Sequence, residues 1–128
     1  MSLRYESVLI AKILLNRIKR FQASNDDSDL LITYGDLSRK MDIGISPRNL
    51  DYPLGELSEF CTHECSLPKI SALVVNQDSY LPGDGYFKYF YPGSSSDTWI
   101  SLFLHDLNAI KDEKCWEALA ESLHIELQ

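Results

Sequence analysis

Hydrophobic positions recur at helical spacing over residues 3–22, where Val8, Ala11, Leu15 and Ile18 mark one seam and Ile10, Leu14 and Phe21 widen it. Lys12, Lys19 and Arg20 fall largely outside that seam, which predicts an amphipathic helix with a basic outer face. Residues 23–29, Ala-Ser-Asn-Asp-Asp-Ser-Asp, show no period and predict an acidic loop. The apolar run Leu30-Leu31-Ile32 predicts one brief strand. Thr33 then offers an N-cap with Asp36 three residues on, starting a helix over about 34–42 with Leu37 and Met41 inward. Gly44 is expected to end it. Ser46-Pro47 pairs an N-cap with a proline at the first helical position. Leu50, Leu54, Leu57 and Cys61 follow on one helical face, and Pro53 inside that pattern predicts a kink or break. Leu67-Pro68 closes the helix.

Ile70 to Val75 is a short apolar run and predicts a buried strand. Asn76-Gln77-Asp78-Ser79 and Leu81-Pro82-Gly83-Asp84-Gly85 carry turn chemistry. Tyr86 to Tyr91 is aromatic-rich and predicts a second strand, paired with the first as a hairpin. After the flexible break Pro92 to Ser96, Asp97 is expected to cap a helix through about Ile110, with Trp99, Phe103, Leu107 and Ile110 inward. Another helix from Glu113 would bury Trp116, Leu119, Ala120 and Leu123. The fold class is therefore mostly α with a small β-hairpin (α+β). It reads as one domain over 1–128: a winged helix-turn-helix-like core over about 3–91 and a C-terminal helical pair over about 97–126. Ile43-Gly44-Ile45 fits the tight turn of that motif.

Composition narrows the class further. A chain of 128 residues, 45% hydrophobic and 24% charged, can bury a sizeable core without a metal or disulfide staple. No apolar run approaches the roughly 18 residues of a membrane span. The first apolar run is interrupted by Lys12 and Arg17, so no signal peptide is expected. Three cysteines, an odd count, predict reduced thiols in a cytoplasm. The net charge is −7 and unevenly spread. Residues 1–22 carry five basic side chains against Glu6 alone, whereas residues 97–128 carry seven acidic against two basic. An acidic surface repels phosphate, which disfavours bare nucleic-acid binding and suits a basic protein partner.

Thr33-Tyr34-Gly35-Asp36-Leu37, Leu67-Pro68, Val74-Val75-Asn76 and Leu81-Pro82-Gly83 occur in that order over about residues 30–85. This order resembles the DNA-binding domain of alkyltransferases and alkyltransferase-like proteins. In that family a Tyr-Gly helix start precedes the recognition helix, and a Pro-Cys-His-Arg or Pro-Trp-His-Arg segment runs into a Val-Val-Asn-like strand. The resemblance implies a helix-turn-helix with a wing. Here Lys69-Ile70-Ser71-Ala72 follows Pro68. With no cysteine to accept an alkyl group, no histidine to activate it and no arginine to enter a duplex, the segment lacks the chemistry of alkyl transfer. Fold analogy alone carries no function.

Cys61-Thr62-His63-Glu64-Cys65 has zinc-ligand residue types, but a closed site needs four ligands. The others would have to be His105, His124 or Cys115, far along the chain, so packing cysteines are expected and no metal or other cofactor is. No nucleophile elbow, phosphate loop or metalloprotease helix is present. Asp26 and Asp27 lie in a polar segment where nothing would raise a pKa for acid catalysis. No catalytic residue is assigned.

The outward positions of the second helix-turn-helix helix are Arg48, Asn49, Tyr52, Glu56, Glu59 and His63. Arg48 and Asn49 suit base edges or phosphate and are the DNA-binding candidates. Glu56 and Glu59 are wrong for a phosphate wall, and the expected wing offers Tyr80, Asp84 and Tyr86 with Lys88 as its only base. Tyrosines give contact area at low entropic cost. Tyr52, Glu56, Glu59, Tyr80, Asp84 and Tyr86 are therefore the candidates for holding a basic protein, with Tyr89 and Tyr91 beside them. The basic first helix could instead dock on acidic C-terminal helices, its own or a second copy's, which leaves a homodimer open.

Overall fold

A computed structural model describes residues 3–127. It is mostly helical, with seven α-helices among the described residues and one two-stranded sheet. Helix α1 (Tyr5–Ser24) matches its hydrophobic seam, burying Ile10, Ala11, Leu14, Leu15, Ile18 and Phe21. It ends at Asn25, which takes the left-handed conformation (φ 57°) and donates its N–H to the Phe21 carbonyl at 2.7 Å.

The acidic stretch expected as a loop contains a short helix, α2 (Asp27–Leu30). Two local contacts explain it. The Asp26 carboxylate accepts the Ser28 N–H at 2.9 Å, capping the start. Arg17 of α1 donates to the carbonyls of Ser28, Leu30 and Leu31, satisfying acceptors at the other end.

Strand β1 (Ile32–Thr33) leads into α3 (Tyr34–Met41), with Thr33 Oγ1 accepting the Asp36 N–H at 3.1 Å as its cap. Asp42, in the left-handed region, ends α3, and Gly44 (φ 76°) lies two residues on. The turn to the next helix is longer than three residues. Pro47–Asn49 forms a 3-10 turn before α4 (Asp51–Glu64) begins. Pro53 consequently sits in the first turn of α4, where its missing N–H has no intrahelical acceptor to lose, and no break occurs. Leu50, Leu54, Leu57 and Cys61 are all buried, as their spacing requires.

The expected hairpin does not form. Ile70–Leu73 is a 3-10 turn, and only Val74–Val75 is extended, as β2. It pairs in parallel with β1, Ile32 opposite Val74 and Thr33 opposite Val75. A parallel pair needs a crossover, which α3 and α4 supply. Tyr86 to Phe90 lies in helix α5 (Asp84–Phe90) instead of a strand. Tyr86 and Phe87 are buried and Phe90 and Tyr91 half-buried, a helical stripe, while Lys88 and Tyr89 face water. A strand would have put Lys88 on the same face as Tyr86 and Phe90.

Helix α6 (Trp99–Asp112) follows a 3-10 turn at Ser96–Thr98, so Asp97 is inside that turn and does not cap α6. Glu113 instead accepts the N–H groups of Lys114 and Cys115 ahead of α7 (Glu117–Ser122). Trp116, Leu119 and Ala120 are buried, whereas Trp99 is half-buried and stacks on Phe87 with centroids 4.5 Å apart. The core lies among α1, α4, residues 70–75 and α6. No described helix is long and apolar enough to cross a membrane.

Candidate functional site, an acidic and aromatic groove between α4 and α5

Positions 51, 52, 55, 56 and 59 of α4 share one helical face, and Gly85 and Tyr89 of α5 lie opposite. Together Asp51, Tyr52, Gly55, Glu56, Glu59, Gly85 and Tyr89 line a groove of about 610 Å³. Tyr52 and Tyr89 are 65% and 56% exposed, large aromatic surfaces left open to solvent. Asp51 presses against the first turn of α5: a Cβ at Gly85 would stand 2.8 Å from Asp51 Oδ2, so only glycine leaves room for this carboxylate position. Partial burial raises the Asp51 pKa. Glu59 accepts a hydrogen bond from the Tyr89 hydroxyl. Glu56 accepts from the Arg4 backbone N–H at 2.9 Å and from Arg4 Nε at 3.2 Å. The Arg4 guanidinium lies 4.2 Å from the Tyr52 ring centroid, within cation–π range.

The groove brings together three of the six partner-binding candidates, Tyr52, Glu56 and Glu59. Asp84 is exposed beside it, in the first turn of α5. Tyr80 is 58% exposed but lines a different hollow with Arg17, Asp27, Asp36 and Lys40. Tyr86 must be corrected: it is 6% exposed and belongs to the core. The helical conformation of 86–90 turns it inward, toward Asp106. Asp51 and Arg4 were not among the candidates. Asp51 carries a weak signal, four residues before Gly55 on the same face, whereas Arg4 pairs with a residue 52 positions away.

A second polar cluster was also absent from the sequence reading. The carboxylate of Asp106, 4% exposed, accepts from the Tyr86 hydroxyl at 2.5 Å and from the Tyr91 hydroxyl at 2.8 Å. Lys69 Nζ stands 3.8 Å from the same carboxylate and packs over the Phe90 and Tyr91 rings. Desolvation first, and then the Asp106 hydrogen bonds, push both tyrosine pKa values upward. The arrangement holds two neutral phenols on one charged acceptor and ties α5 and the segment after Pro68 to α6.

Arg48 and Asn49 are exposed in the 3-10 turn ahead of α4, yet α4 itself has no lysine or arginine. The basic side chains Lys19, Arg20 and Lys40 instead line a groove of about 670 Å³ between α1 and α3. Lys19 also shares a hollow with Glu117 of α7, so part of the basic helix faces the acidic C-terminal region.

The three cysteines are free: Cys61 buried, Cys65 half-buried and Cys115 exposed. Burial pushes the Cys61 thiol up to about 12. Among the described residues, no group of three His, Cys, Asp or Glu side chains is placed to hold a metal ion. His63, His105 and His124 are exposed at separate places, on α4, on α6 and beyond α7. No protein-family model, curated protein or solved structure matches this chain.

Proposed function

We propose that this chain is a non-enzymatic binding protein that engages a basic protein partner, as an inhibitor, immunity factor or regulatory adaptor does. The observation that carries the reading is the α4–α5 groove, where two exposed tyrosines flank three carboxylates. Carboxylates at such a surface steer a cationic partner and fix its register. Tyr52 and Tyr89 add aromatic area near the centre of the contact, where binding energy concentrates. The acidic net charge extends the attraction over roughly a Debye length.

The second reading is a helix-turn-helix DNA binder using Arg48 and Asn49. It is favoured by the way the segments resembling the alkyltransferase-like domain meet. The Tyr34 hydroxyl accepts the Gly83 N–H at 2.9 Å, and β1 pairs with β2. Its weakness is the carboxylate-lined α4 face and the missing wing hairpin.

The test is affinity capture from host lysate with the wild type and a Glu59→Lys/Tyr89→Ala variant. The proposal expects a stoichiometric basic protein that the variant fails to retain. Recovery of the same proteins by both overturns the groove assignment. Micromolar binding of random duplex at low salt, lost in Arg48→Ala, moves the conclusion to the DNA reading.

A further inference from the structure

Arg4 is already bound as a cationic ligand would be. Its guanidinium covers the Tyr52 ring, and its Nε and backbone N–H both donate to Glu56. Glu6 Oε2 lies 3.8 Å from Arg4 Nη1. The contact comes immediately before α1 and is superficial: the Arg4 side chain is 46% exposed, and Tyr52 is more exposed still. Exposed ion pairs of this kind contribute little to stability, so removing Arg4 from Tyr52 leaves the core intact. In the other half of the groove, formed by Asp51, Glu59 and Tyr89, neither carboxylate forms an ion pair with a lysine or arginine among the described residues, and Glu59 is held by the Tyr89 hydroxyl.

We infer that the Tyr52–Glu56 end of the groove is an arginine-recognition half-site, and that Arg4 occupies it in the free chain until an arginine of the partner takes its place. This inference rests on the binding reading above and names its chemistry. A planar guanidinium can lie flat over a tyrosine face while its Nε–H donates to a neighbouring carboxylate, whereas a lysine ammonium is a point charge without that planar fork and fits the pair less well. Glu56 and Glu59 are three residues apart on α4, and side chains at that spacing are roughly 5–6 Å apart. The fitting partner segment therefore presents one arginine to Tyr52 and Glu56 and a second basic residue to Glu59 and Asp51. Displacement of Arg4 makes its occupancy a cost on partner binding, which truncating Arg4 removes.

The experiment measures fluorescence anisotropy of labelled hexa-arginine and hexa-lysine peptides at low salt, with wild type, Arg4→Ala and Glu56→Gln. Folding of each variant is checked by circular dichroism. Arg4→Ala is expected to bind hexa-arginine about fivefold tighter than wild type, with a smaller gain for hexa-lysine. Glu56→Gln is expected to weaken hexa-arginine binding. If wild type binds but Arg4→Ala binds equally or less tightly, the half-site is overturned and the groove reading stands. If neither wild type nor Arg4→Ala binds either peptide, both fall together.

Discussion

Replacing Tyr86 by phenylalanine removes one oxygen from the buried cluster around Asp106 and leaves the ring in place. The ring keeps its contacts with Phe87 and Phe90, at centroid distances of 5.3 and 5.1 Å. What is lost is the 2.5 Å hydrogen bond to Asp106 Oδ2. A buried hydrogen bond to a charged acceptor contributes about 1.5–3 kcal/mol. Tyr91 and Lys69 still attend the carboxylate, which places the expected loss near the middle of that range, at about 2 kcal/mol. Asp106→Ala is expected to cost more, about 3 kcal/mol or above, because it strands the Tyr86 hydroxyl and removes the counter-charge of Lys69. The assay is urea unfolding followed by the fluorescence of Trp99 and Trp116, with the slope expected to stay constant. In a thermal melt the Tyr86→Phe loss corresponds to a drop of roughly 6–12 °C for a domain of this size. A Tyr86→Phe loss below about 0.5 kcal/mol would refute the assignment of this cluster as a stabilising tie between α5 and α6.

Ser58→Ala strands the buried N–H of Ser71, which now donates to Ser58 Oγ at 2.9 Å, and is expected to cost about 1–3 kcal/mol in the same unfolding assay. The Tyr34 hydroxyl is pushed up to about 12, chiefly by burial. Its folded value exceeds the unfolded value of about 10, so its contribution is complete below pH of about 10 and is lost as pH rises toward 12. Urea midpoints measured up this range are expected to fall, and Tyr34→Phe to fall less steeply. Towards a thiol reagent Cys115 is expected to react first, and Cys61 only at the rate of unfolding, a difference that a timed colorimetric titration reads directly.

Much of the helical frame was legible because its signals are local. Thr33 caps α3 through a contact three residues away, and the α1 and α4 core positions follow from the 3.6-residue period alone. The errors fall where a local signal had two meanings. The aromatic run Tyr86 to Tyr91 suggests a strand by residue type. Its inward set of 86, 87, 90 and 91 is helical, and Lys88 was the residue that could have decided it. Asp26 and Asp27 suggested a solvated loop until Arg17, about two turns back from the end of α1, supplied a donor to the carbonyls. The site divides in the same way. Glu56 and Glu59 were readable as one outward face, whereas Arg4 joins that face through a tertiary contact that no spacing encodes. Asp106 is similar: its partners come from α5, from Tyr91 and from the segment after Pro68, so its burial could not be read from α6 alone.

The most direct test of the central claim is a chemical-shift map of the labelled protein titrated with hexa-arginine at low salt. If the α4–α5 groove is the docking surface, the largest changes cluster at residues 51–59 and 84–89, and Arg4 moves with them. Changes centred on α6 and α7, where acidic side chains also abound, would contradict it and reduce the attraction to unspecific charge.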